Sequence, residues 1–194
     1  ADKKNIAAAV EIAVSAPSTA TEINTVVPTS SLKALVKSDV KYLIIDTPVG
    51  NITLDSKAMA GVADQANGSQ TTFGISMTAQ SALTEAQKEA AGTGLVVELS
   101  ITSNNKTISD LKGGKATVSI PYTLKDGETA DGVAVWYLAE DGSLTRVEGA
   151  KYSGGYVTFI LEHLSRYLIG YDPVAGWANP FNDVAKTDWF YKNV

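Results

Sequence analysis

One histidine, His163, stands two residues before a serine, Ser165, in the run Gly155 to Tyr171, GYVTFILEHLSRYLIGY. An imidazole gains and loses a proton near neutral pH, and a serine hydroxyl becomes a nucleophile when such a base takes its proton. A reactive centre in this chain would be sought here first. A Ser-His-Asp hydrolase of the α/β type sets its serine on a G-x-S-x-G elbow, and the sequence contains none. Zinc needs three or four nitrogen, sulfur or carboxylate ligands, which one histidine and no cysteine do not provide. The bland reading is that this densest apolar and aromatic run is the closing hairpin of a β-rich core. His163 and Ser165 then fix a turn by hydrogen bonds while Leu164 and Tyr167 pack. That reading is the one adopted.

Other side chains offer binding rather than catalysis. Flat rings stack on sugar faces, so Trp136, Tyr152, Tyr156 and Tyr171 are candidate glycan platforms. Trp136 sits among apolar neighbours in VAVWYLA, Val133 to Ala139, and reads first as core. Asp126-Gly127-Glu128 with Asp131, and Glu140-Asp141-Gly142, present loop oxygens of the kind calcium takes, but without the spacing of an EF-hand loop. Solvated hairpin turns are the simpler account, and no metal or other cofactor is expected. A Lys–Asn isopeptide cross-link is a further chemistry for such a chain, with no pairing assignable from the sequence.

Composition narrows the classes. The 194 residues are 44% hydrophobic and 19% charged, enough chain for a substantial core in one domain or two small ones. The formal net charge of −5, with no Lys/Arg cluster, opposes nucleic-acid binding. No run reaches the ~18 apolar residues of a membrane-spanning helix. Ala1 to Lys4 lacks the apolar core of a signal peptide, which predicts a piece excised from a longer protein.

The elements are read from periodicity and turn chemistry. Ala7 to Ala16 reads as strand or helix, ended by Pro17, and Ser18 to Thr25 as loop before a short strand at Val26-Val27. Helices are predicted over Leu32 to Lys37, from an Asp55 cap to Ala66, and from the Thr84–Gln87 capping box to Ala91. Strands are predicted at Val40 to Ile45, Ile52 to Leu54, Gln70 to Thr78, Leu95 to Ile101, Ala116 to Tyr122, Val133 to Ala139, Leu144 to Val147, Tyr156 to Leu161 and Tyr167 to Tyr171. Pro121 places its strand's end at a sheet edge or exit. Strands and helices do not alternate regularly, which argues against a parallel α/β sheet. The expected fold is mainly β (α+β): an antiparallel β-sandwich with two or three short helices in its N-terminal half. It spans residues 1–172, as one unit or as sub-lobes near 1–80 and 81–172. Pro173 to Pro180, PVAGWANP, reads as a linker.

The segment after the linker carries the most specific motif. Phe181, Asp183, Val184, Trp189 and Val194 fit F-x-D-V-x-x-x-x-W-x-x-x-x-V. This resembles the opening of an S-layer homology repeat, with 181–194 as its truncated start. An acidic residue at Asp183 suits a helix N-terminus. The resemblance implies attachment to the cell wall of a Gram-positive bacterium. It also implies a partner, secondary cell-wall polysaccharide, that would be held by repeats beyond Val194, because the family's T-R-A-E-like polymer site is not in this segment.

Two further resemblances cover the body. Pro121-Tyr122, Val135-Trp136-Tyr137, Glu140-Asp141-Gly142, Phe159 and His163-Leu164-Ser165-Arg166-Tyr167 are similar to a module found before S-layer homology repeats in clostridial and Paenibacillus-type surface proteins. That module's usual motif is H-[FL]-S-x-Y. The H-F-S pattern also resembles the cleavage site of ZU5-type autoproteolytic domains, with Leu164 here in place of the usual Phe. That resemblance implies attack of Ser165 on the Leu164 carbonyl with His163 as base, cleaving between Leu164 and Ser165. Together these readings predict a non-catalytic extracellular spacer or adhesion module of a wall-anchored protein. The rivals are a carbohydrate-binding module of a surface glycan-degrading protein and an autoproteolytic module.

Overall fold

The computed structural model describes residues 8–17 and 19–172. The linker and the S-layer homology motif lie outside the described residues. The described chain is mainly β: among these residues two sheets face each other across one core, with three short α-helices in the first half. In chain order, the first half holds β1 (Ala9–Ala13), β2 (Glu22–Pro28), α1 (Thr29–Val36), β3 (Tyr42–Thr47), β4 (Gly50–Asp55), α2 (Ser56–Gln65), β5 (Gln70–Met77), α3 (Glu85–Ala91), β6 (Leu95–Ser103) and β7 (Lys106–Thr107). The second half adds β8 (Ala116–Pro121), β9 (Val133–Leu138), β10 (Leu144–Arg146), β11 (Lys151–Ser153), β12 (Tyr156–Leu161) and β13 (Arg166–Tyr171). One sheet, sheet A, has the order β1-β3-β4-β8-β12-β11. The other, sheet B, has the order β10-β9-β13-β6-β5-β2, with β7 also on β6. Each sheet takes strands from both sides of residue 80.

Alternation builds the core. In β2 the inward residues Ile23, Thr25 and Val27 are buried and the outward ones exposed, and β8 and β12 put Ala116, Val118, Ile120, Val157, Phe159 and Leu161 inside in the same way. Full burial of a Leu, Ile or Phe side chain contributes about 1.5–3 kcal/mol. Leu43, Ile45, Ile52, Leu54, Phe73 and Ile75 are all at 0–1% exposure. Helices α1 and α2 contact one another and strands of both sheets, so they plug one end of the sandwich. Leu32, Met59 and Val62 point into the core there. Asp55 caps α2 by accepting from the Ala58 N–H at 2.7 Å, and its other oxygen accepts from the Lys115 N–H at 3.0 Å.

Several expectations are corrected. The stretch whose pattern suits strand or helix equally forms β1, and β1 lies parallel to β3, so sheet A is not wholly antiparallel. The second half of the predicted loop Ser18 to Thr25 belongs to β2, which begins at Glu22. Polar Glu22, Asn24 and inward Thr25 hide its period. Two short strands, β7 and β11, are too brief and too polar to leave a pattern. Most importantly, β12 and β13 are not a hairpin. β12 pairs with β8 and β11 in sheet A, and β13 pairs with β6 and β9 in sheet B. The segment 162–165 therefore carries the chain across the core from one sheet to the other.

Candidate functional site

The crossing at 162–165 holds His163, Leu164 and Ser165, and each points to a different place. His163 is exposed, and its backbone forms an isolated antiparallel bridge with Asp110. Its ring meets Tyr137 edge-on at 5.1 Å between centroids and lies 6.0 Å from the ring of Tyr167. Leu164 is 4% exposed in the main core, and its N–H donates to the Ser109 carbonyl at 2.9 Å. The Ser165 carbonyl accepts from the Leu99 N–H at 2.9 Å. The Tyr167 hydroxyl donates to the His163 carbonyl at 2.7 Å. Among the described residues no hydrogen bond joins the His163 ring to the Ser165 hydroxyl, and none of 163–165 has a positive φ.

Ser165 instead lines a cavity of about 560 Å³ on the outer face of sheet B, beside Arg166, Glu98 and Gln87. Arg166 Nε donates to Glu98 Oε2 at 2.9 Å across the β13–β6 pair, and its Nη1 donates to Gln87 Oε1 at 3.2 Å. Gln87, 1% exposed, completes the capping box of α3 with Thr84 and donates to the Ala139 carbonyl at 3.1 Å. Residue spacing announces the capping box but not this reach to Ala139 and Arg166, because both partners are remote in the chain. Helix α3 covers this face with a second small cluster of Leu83, Ala91, Val96, Leu138 and Leu168, against which Trp136 packs. Trp136 thus belongs to the outer face, not to the main core.

The aromatic candidates separate. Trp136 and Tyr171 line one cavity of about 320 Å³ with Lys125, Glu128, Leu168 and Gly170. The Arg146 guanidinium lies 5.6 Å from the Trp136 ring centroid. The Tyr171 ring rests on Gly132, where an added Cβ would come within 2.1 Å of the ring. The Lys125 ammonium donates to the Thr93 carbonyl at 2.6 Å, and Glu128 Oε2 accepts from the Tyr122 hydroxyl at 2.9 Å. Burial, aided by Glu128, pushes the Tyr122 phenol up to about 12. Tyr152 is elsewhere, half-buried and edge-on to Tyr122 at 6.3 Å, and Tyr156 is 48% exposed on β12.

The acidic turns are engaged in local bonds. Asp141 Oδ1 accepts from the Ser143 N–H at 2.9 Å; bonds from Ser143 hold this carboxyl below its usual range. Among the described residues no group of three or more His, Cys, Asp or Glu is placed to hold a metal ion. No described lysine is buried, as a core isopeptide bond would require. No helix among the described residues is long and apolar enough to cross a membrane.

Compared with family models, with curated proteins and with solved structures, the chain gives no match.

Proposed function

We propose that this β-sandwich is a non-catalytic module set in series within an extracellular, wall-anchored protein, where it spaces and presents its neighbours. One relationship in the fold supports the reading: the chain enters and leaves at opposite ends. β1 is parallel to β3, and three antiparallel steps through β4, β8 and β12 make β12 antiparallel to β1. Val10, Leu43, Leu54, Ala116 and Leu161 therefore form one row across sheet A, at the end plugged by α1 and α2. β13 starts at this end, just past His163, and runs to Tyr171 at the other. A module wired this way adds length between its two neighbours. The engagement of the 162–165 crossing in main-chain bonds favours a structural role for His163 over a catalytic one. The wall address rests on the S-layer homology resemblance of Phe181, Asp183, Val184, Trp189 and Val194.

Two measurements test it. Fluorescent labels at residues 8 and 172 report a separation of at least a strand's length, about 20 Å for six residues. Antibody against the module labels intact cells producing the full-length protein. Labels in contact, or a protein found only inside cells, would overturn the reading.

A second reading is favoured by one observation, the convergence of Trp136 and Tyr171 on a single cavity with a carboxylate and an ammonium. This is the chemistry of a saccharide subsite. Glycan-array binding that is lost in both Trp136→Ala and Tyr171→Ala would select it.

A further inference from the structure

We propose that β1 is a mechanical clamp: its pairing with β3 sets the tension the module withstands. The inference rests on the in-series reading above and concerns what happens when the two ends are pulled. Tension between Ala8 and Asp172 draws β1 along its own axis toward its start and β13 along its own axis toward its end. Both terminal strands are then loaded in shear, with their ladder bonds strained together rather than in succession.

The two are unequal. β13 lies between β6 and β9 and has partners on both sides. Among the described residues β1 has one partner strand, β3, and none on its far edge, with Val10 and Ile12 half-buried against the core. Bonds from Lys41 N–H to the Ala8 carbonyl and from Val14 N–H to the Asp46 carbonyl extend its pairing by a residue at each end. β1 is therefore the strand that yields.

Loss of β1 is decisive because of where the load goes next. With β1 detached, it passes to Glu22 at the start of β2. From β13, three antiparallel steps through β6 and β5 make β2 run opposite to β13. Glu22 therefore sits at the exit end, the same end as Asp172. Force now peels an edge strand from its beginning, and its bonds break one at a time. The remaining fold offers less resistance than the clamp did, so loss of β1 and loss of the module coincide.

The chain has no cysteine, so single attachment points can be introduced cleanly. One handle is joined after Val194 of the full chain; the other is a cysteine in Ala8→Cys or in Thr19→Cys, both exposed positions. Pulling from residue 8 loads β1, whereas pulling from residue 19 bypasses it. β1 is intact in both variants, so their thermal midpoints agree. The expected result is rupture from residue 19 at about half the force or less, since bonds broken singly resist less than bonds broken together. Adding Ile12→Asp to Ala8→Cys lowers its rupture force toward the residue-19 value. Equal forces from the two attachment points would overturn the clamp while leaving the in-series reading intact. Labels at 8 and 172 found in contact would overturn that reading itself.

Discussion

The Tyr167 hydroxyl bonds the carbonyl of His163, four residues back, at 2.7 Å. Tyr167 is fully buried, between Phe159 at 5.8 Å and Tyr137 at 6.1 Å. Its ring fills the core at the point where the chain changes sheets, and its O–H donates to the carbonyl that the change leaves without a ladder partner. Tyr167→Phe keeps the ring and removes that bond. It should cost about 1–2 kcal/mol in urea unfolding with little change in slope. His163→Ala, which keeps the carbonyl, should cost less.

The crossing makes no use of the Ser165 hydroxyl as a nucleophile in the proposed reading. Purified full chain and its Ser165→Ala variant should therefore each show one intact mass. A pair of fragments divided after Leu164, present in the parent and absent from the variant, would establish autoproteolysis.

Alkaline pH should weaken the fold. Burial raises the Tyr167 phenol above its ordinary 10.0, and burial with Glu128 raises Tyr122 to about 12. The protonated phenols favour the folded state, so their contribution is complete below about pH 10, where the unfolded chain still holds its protons. It is lost as pH rises from there through the folded values. Absorbance at 295 nm should show two tyrosines titrating late, and denaturant midpoints should fall over the same range.

Gln87 joins α3 to the β9–β10 hairpin and to Arg166. Gln87→Ala removes the capping-box partner and leaves the buried Ala139 link unmade, at a cost of about 2–3 kcal/mol. Hydrogen exchange should quicken in α3 and in residues 139–143 before it quickens in β8 or β12.

The fold class was legible because alternation and turn chemistry are local. Gly127 and Gly142 take positive φ where hairpin turns were expected. The Thr84–Gln87 box opens α3 as its spacing required. What escaped depends on partners distant in the chain. Nothing within GYVTFILEHLSRYLIGY names the partners of its strands: β12 alternates buried and more exposed residues while β13 is buried from Tyr167 through Ile169, and a hairpin or a crossing accommodates both patterns. β2 escaped because Thr25 faces inward, its hydroxyl buried with no hydrogen-bond partner among the described residues. Trp136 and Tyr171 were legible as candidate platforms, without any signal that one cavity receives both. The Glu98–Arg166 pair is visible only through the β6–β13 register.

The central place of β13 also governs the order in which the fold can be completed. Without Arg166 to Tyr171, sheet B is two separate pieces, β10-β9 and β6-β5-β2. β12, likewise late in the chain, joins β11 to the rest of sheet A. Neither sheet can close until these last strands have emerged, and their pairing with residues as far back as Leu95 makes that closure a non-local, slow event. The sandwich is thus a structure whose final residues act as its keystone, and a chain stopped short of Tyr171 should accumulate as an open, aggregation-prone form rather than as a smaller stable domain.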